Sequence, residues 1–327
     1  MKIAEVLSQY PDRLWRLAKQ AGVTHAVARL PVRPDGTPSW EYMDLLHMKQ
    51  RFDDFGFKLE VIEPGLDAQM HRMKLGIEGR DEDIAQCQQL IRNMGALDIP
   101  VLCYNFMAGF NWLRTSVSTP TRGGALVTSY NHALMKDAPL TPAGIVSEER
   151  LWDNLKYFLE RVIPVAEKAN VKLALHPDDP PVSPIQGISR IITSAAALNR
   201  AINLVPSANS GVTFCQGSLA AAGTDIPATI LELGKAGKIF FVHFRDIRGK
   251  ADEFSETFHD DGQTDMFAAV KAYKTVGFDG PVRIDHVPTM EGENNREPGY
   301  GEVGRLFALG YLKGLLEAAE NGHAPGS

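Results

Sequence analysis

The order of short apolar runs and longer amphipathic stretches predicts an α/β protein. It reads as a single (β/α)8 TIM barrel with a long insertion after the fourth strand and an extended loop after the eighth. Three observations carry this expectation. Eight strand-like runs alternate with eight helical patterns. The 327 residues exceed the roughly 250 that such a barrel needs. No glycine-rich phosphate loop follows any strand, which disfavours an open doubly wound sheet.

The strand runs are residues 2–7, 24–30, 57–63, 98–105, 171–176, 202–208, 238–244 and 281–286. Most are near-continuous apolar runs, as parallel strands covered on both faces require. Pro206 interrupts the sixth run, which fits least well. Between them, PDRLWRLAKQAG opens on proline and stops at Gly22, the usual punctuation of a helix. SWEYMDLLHMKQRFDDFG places Ser39 as an N-cap and Gly56 as the stop. RDEDIAQCQQLIRNMG, SEERLWDNLKYFLERVIPVAEKAN, SPIQGISRIITSAAALNRA, DIPATILELGKAG, DMFAAVKAYKTVG and EVGRLFALGYLKGLLEAAE supply the remaining helices.

Two segments exceed the minimum for a barrel. Residues 106–145 follow the end of the fourth strand, and Val287–Glu302 follows the eighth. Long loops in compact domains usually act as lids or interfaces. Residues 1–320 are expected to form one catalytic domain, with 321–327 as a disordered tail.

Composition narrows the function. Hydrophobic content of 44% and charged content of 23% fit a globular protein. The net charge of −6, from 34 basic and 40 acidic side chains, argues against nucleic acid or an anionic membrane as partner. Three scattered cysteines make no disulfide framework, and no secretory or membrane-spanning segment is evident. A cytoplasmic protein acting on a small molecule is expected, with a homo-oligomer such as a dimer as its assembly.

Barrel enzymes work at the C-terminal ends of their strands. Four ligand-type residues fall there: His176, Cys215, His243 and Asp285. Alone, each has a bland reading as a hydrogen-bonded histidine, a small buried hydrophobe or a turn cap. On four successive strand ends they converge once the barrel closes, and a metal site is expected. Nitrogen, sulfur and oxygen donors together suit Zn, Fe(II) or Mn(II) rather than Ca or Mg. Cys87 and Cys103 read as core.

His286 stands beside Asp285, and Tyr300 sits in the glycine-flanked turn PGYG, where it can reach the mouth as an acid or base or remain an exposed aromatic. Asp178 and Asp179 in HPDDPP are expected to orient the ligand histidine or a substrate hydroxyl, or to serve as turn residues. Arg245 is placed to hold a substrate carboxylate. Glu256, His259, Asp260 and Asp261 read as solvated charges.

HPDDPP, CQGS, HFRDI, FSETFHDDG, RIDH and PGYGEVGRLFALGYLKGLLE run in order from His176 to Glu317. Together they resemble the D-mannonate dehydratase family of the xylose isomerase-like barrel group, with a weaker match through RMKLGIEGRDEDI. The resemblance implies His176, Cys215, His243 and Asp285 as metal ligands, with Mn(II) or Fe(II) as the ion and Zn(II) as a substitute in purified material. It implies His286 and Tyr300 as the acid/base pair, here assigned as acid and base respectively. The implied reaction removes water from D-mannonate to give 2-keto-3-deoxy-D-gluconate. Two places depart from the family pattern. Ile284 and Val287 replace the proline and glycine that flank Asp–His, and EPGLDAQMHR replaces Glu-Ser-x-Pro-Val-His. The alternatives are a metal-dependent sugar isomerase or epimerase and a non-catalytic sugar-acid-binding barrel.

Overall fold

A computed structural model describes residues 1–63 and 70–322 of the chain. Eight parallel strands close into a barrel: β1 (Lys2–Leu7), β2 (His25–Ala28), β3 (Lys58–Ile62), β4 (Val101–Asn105), β7 (Lys172–His176), β8 (Ser210–Cys215), β9 (Ile239–Phe244) and β12 (Pro281–Ile284). β1 pairs with both β2 and β12, so the barrel has no free edge. Two strands of the insertion, β5 (Ser116–Pro120) and β6 (Leu126–Asn131), join β10 (Ile247–Lys250) and β11 (Glu253–Glu256). They make a separate antiparallel sheet in the order β10-β11-β6-β5.

Helices return the chain between barrel strands. Asp12 caps Arg13–Gln20 by accepting from the Trp15 amide, and Trp15 buries its ring in a stack on Phe52 from the next helix, 4.4 Å between centroids. Ser147 caps the 22-residue helix Glu148–Ala169 in the same way. The expected capping by Ser39 is not observed. The helix Tyr42–Phe55 starts after Glu41, and the Ser39 hydroxyl accepts from the Glu41 amide and bonds Asp44.

Two other expectations change. The sixth barrel strand is 210–215, not 202–208. Ile202 ends the helix Ala195–Ile202, and Pro206 has no N–H to give a ladder. The strand used instead, SGVTFC, looks too small and polar in sequence, but Gly211 is needed there. A Cβ on it would sit 2.5 Å from the Lys238 carbonyl and from the Phe240 ring. The helix expected over 183–201 begins only at Ala195, capped by Ser194. Residues 177–194 are rim loop instead.

The insertion is therefore not a plain loop. Tyr130 of β6 pairs with Phe254 of β11, and Leu126 exchanges backbone hydrogen bonds with Thr289 in the loop after β12. These contacts anchor the second sheet to the C-terminal rim of the barrel. The departures noted at 64–69, and the tail beyond Gly322, lie outside the described residues. Among the described residues, no helix is long and apolar enough to cross a membrane.

Candidate active site

Successive side chains of a strand point to opposite faces. One alternating set, including Ala4, Val27, Val61, Val101, Cys103, Ala174 and Phe241, packs as a cluster of its own, which is the filled interior of the barrel. Two residues further along the same face, the apolar filling stops. Val61 leads to Glu63, Cys103 to Asn105, Ala174 to His176 and Phe241 to His243, and all four polar residues line one cleft. Cys215 is in register with His243, and Asp285 lies two residues beyond Arg283, the register partner of His243.

The four expected ligands meet. His176 Nε2 lies 3.2 Å from His243 Nδ1, Asp285 Oδ2 lies 3.5 Å from the same His243 nitrogen, and Cys215 Sγ lies 3.9 Å from Asp285 Oδ2. Donors bound at roughly 2.0–2.3 Å from one ion stand about 3–3.8 Å apart, so the cluster fits a shared divalent ion. His176 Nδ1 donates to the Pro177 carbonyl at 2.6 Å, which leaves Nε2 as the bare nitrogen facing the cluster. Burial opposes ionisation of the Cys215 thiol. Arg245 and His176 beside it outweigh that and hold its pKa well below the ordinary thiol range, toward the thiolate that binds metals.

His286 and Tyr300 also reach the cleft. Their rings meet edge to face at 5.4 Å, so the tyrosine is not the exposed turn aromatic that sequence also allowed. His286 Nδ1 faces Glu256 Oε1 at 3.1 Å, and Trp112 of the insertion packs on the same ring at 5.2 Å. The His286 backbone has φ of +32°, a conformation side-chain-bearing residues rarely adopt. Gly299 lies against its ring, where a Cβ would sit 3.6 Å from it. Carboxylate, indole and backbone together fix this imidazole in one orientation.

Arg245 takes a different position from the one expected. It is fully buried, with Nε and Nη2 donating to Glu256 at 2.8 and 2.7 Å and Nη1 to Asp179 at 2.7 Å. With its fork filled by protein carboxylates, it braces the wall behind Cys215 and does not face the cleft. Asp179 does line the cleft, yet its oxygens accept from Arg114 and Arg245. Asp178 is buried away from it, accepting from the Ile192 amide beside Arg190. Neither aspartate orients His176, a task the Pro177 carbonyl performs. Glu256 and His259, expected among solvated charges, are both buried. Asp260 and Asp261 do form surface ion pairs, with Arg122 and Arg248.

Sequence reasoning missed Glu63, Asn105 and Arg283, although the period of two already placed them on the inward face. It also missed Lys74, which lines the cleft and donates to Asn105 and to the Met107 carbonyl. Arg114 and Trp112 came without any signal, because they lie in irregular chain where no periodicity says what a side chain faces.

The chain was compared with known families and structures. The D-mannonate dehydratase (UxuA) family model matches residues 12–144 and 143–325. Mannonate dehydratase of Thermotoga maritima is 36% identical across 91% of this chain and 91% of its own. Mannonate dehydratase 2 of Halalkalibacterium halodurans is 36% identical across 86% and 88%. The crystal structure of mannonate dehydratase from Streptococcus suis serotype 2 matches with a TM-score of 0.88 at 33% identity, covering 99% of this chain and 95% of that one. An L-ribulose 3-epimerase matches with a TM-score of 0.62 at 17% identity, covering 99% of each chain, which shows a common barrel and no more.

Proposed function

The chain belongs to the D-mannonate dehydratase family of metal-dependent hydro-lyases, and on that basis we propose that it converts D-mannonate to 2-keto-3-deoxy-D-gluconate. The single observation that carries the reading is the meeting of two groups at one cleft. His176, Cys215, His243 and Asp285 converge on one point, and the His286–Tyr300 pair stands beside it.

The reaction takes the proton from C2 and releases the C3 hydroxyl as water. The resulting enol then becomes the 2-keto acid. A proton beside a carboxylate is weakly acidic, so the developing charge has to be stabilised. A divalent ion held by the four ligands, Mn(II) or Fe(II) in our reading, supplies Lewis-acid stabilisation of substrate oxygens. His286 and Tyr300 exchange the two protons, one accepting from C2 and the other donating to the leaving hydroxyl. Glu256 holds His286 Nδ1, so Nε2 is the nitrogen presented for exchange. Trp112 covers the ring and limits water around it. A role for Arg245 in gripping the substrate carboxylate is not part of this reading, since its donors are spent on Asp179 and Glu256.

The test is a panel of aldonic acids assayed for 2-keto-3-deoxy products by periodate–thiobarbiturate colour, with added Mn(II) and a reducing agent. D-mannonate is expected to give product and to lose it on EDTA treatment, with recovery when Mn(II) is restored. Aldose–ketose interconversion without any keto-deoxy product would instead support an isomerase or epimerase.

A further inference from the structure

One buried atom in the ligand cluster has a use that the four ligands leave open. His243 is 1% exposed, and its Nδ1 faces His176 and Asp285. Its other nitrogen, Nε2, makes no close hydrogen bond, and Glu63 Oε1 stands 3.5 Å from it. Glu63 also grips Arg283 with both oxygens, Oε2 on Nε and Oε1 on Nη2, each at 2.9 Å. Arg283 in turn donates from Nη1 to Asp285 Oδ1 at 2.7 Å. One carboxylate therefore bears on two of the four ligands, on His243 directly and on Asp285 through Arg283. Histidines bound to metal commonly give their second N–H to a carboxylate, which fixes the tautomer and the ring plane.

We propose that Glu63 is a positioning residue for the metal centre, orienting His243 through Nε2 and Asp285 through the Arg283 guanidinium. This rests on the reading of His176, Cys215, His243 and Asp285 as the ligands. The same geometry offers another use, because Glu63, Cys103 and His243 also come within 4.8 Å of one another as donors. Arg283 argues against an ion there, since its guanidinium already pairs both Glu63 oxygens. Glu63 thus belongs to the shell behind the ligands and does not add a second centre. Its place at the head of the segment that departs from the family pattern makes it the fixed point from which that segment leaves the barrel.

The experiment measures Mn(II) affinity of the metal-stripped protein by competition with a fluorescent chelator. It also records the electron paramagnetic resonance spectrum of bound Mn(II) and the melting temperature of the metal-free form. Glu63→Ala is expected to weaken Mn(II) binding by roughly 10- to 100-fold and to alter the Mn(II) spectrum. Glu63→Gln, which keeps the shape and an oxygen for His243 but not the charge facing Arg283, is expected to fall between. It carries the test if the alanine variant does not fold. His176→Ala is the control and is expected to abolish binding. Loss of binding in the control with unchanged affinity and spectrum in both Glu63 variants overturns the inference alone. Unchanged binding in His176→Ala overturns the ligand assignment, and the inference with it.

Discussion

Replacing His286 by phenylalanine is expected to lower turnover of the sugar acid by roughly 10²–10⁴-fold while metal content and fold remain as in the parent protein. Phenylalanine keeps a flat ring of similar size between Trp112 and Tyr300, so the packing at 5.2 and 5.4 Å survives. It removes both nitrogens and so the capacity to carry a proton. The one lost partner is the contact with Glu256, whose carboxylate still accepts from Arg114 at 2.6 Å and from Arg245. The Asp285 side chain next to it retains its bond from Arg283. The measurement is steady-state turnover beside metal analysis of the same sample. Tyr300→Phe provides the matching half, and deuterium exchange at C2 separates the roles. The variant lacking the base loses exchange along with product, whereas the variant lacking the acid retains exchange. Full turnover in either variant removes that residue from the chemistry.

Arg245→Met is expected to destabilise the folded protein by about 3–5 kcal/mol, read as a fall in denaturation midpoint. The side chain lies at the centre of a buried set of charges, where Asp179 and Glu256 each accept from both Arg114 and Arg245. Burial opposes ionisation of Glu256, but Arg245, His286 and Arg114 outweigh it and hold its pKa at about 2. Asp179 is likewise held well below the carboxylate range by Arg114 and Arg245 against the cost of burial. Methionine fills much of the volume but leaves these two carboxylates with a single guanidinium. Because the folded pKa values are depressed, the pairing stabilises the protein above the ordinary carboxylate range and is lost as pH falls toward 2. The variant should therefore lose stability at neutral pH and show a shallower further loss on acidification. If Arg245 instead gripped substrate directly, the same change would raise KM and leave the denaturation midpoint in place.

Arg245 also shows where the sequence was legible and where it was not. His176, Cys215, His243 and Asp285 could be picked out because a barrel forces strand ends to one rim, so residue type and position along each strand were enough. The same logic extended by two residues would have yielded Glu63 and Arg283, whose inward face follows from strand period alone. Arg245 lies two residues past His243, where β9 has ended and no period says which way a side chain points. Its direction is set by Asp179 from one loop and Glu256 from another, a tertiary fact. The strand misplaced at 202–208 failed for a related reason. SGVTFC is buried throughout, and its small residues answer to close neighbours such as the Lys238 carbonyl. Arg114 and Trp112 were beyond reach because the pairing of β6 with β11, which brings the insertion over the cleft, joins segments far apart in sequence.

The most direct measurement is anomalous scattering from Mn(II) in crystals of the reduced protein, collected on both sides of the manganese absorption edge. One peak is expected per chain, within bonding distance of His176 Nε2, Cys215 Sγ, His243 Nδ1 and Asp285 Oδ2. A peak seated instead among Glu63, Cys103 and His243 Nε2, or one that touches neither Cys215 nor Asp285, would contradict the assignment of the metal centre and the chemistry built on it.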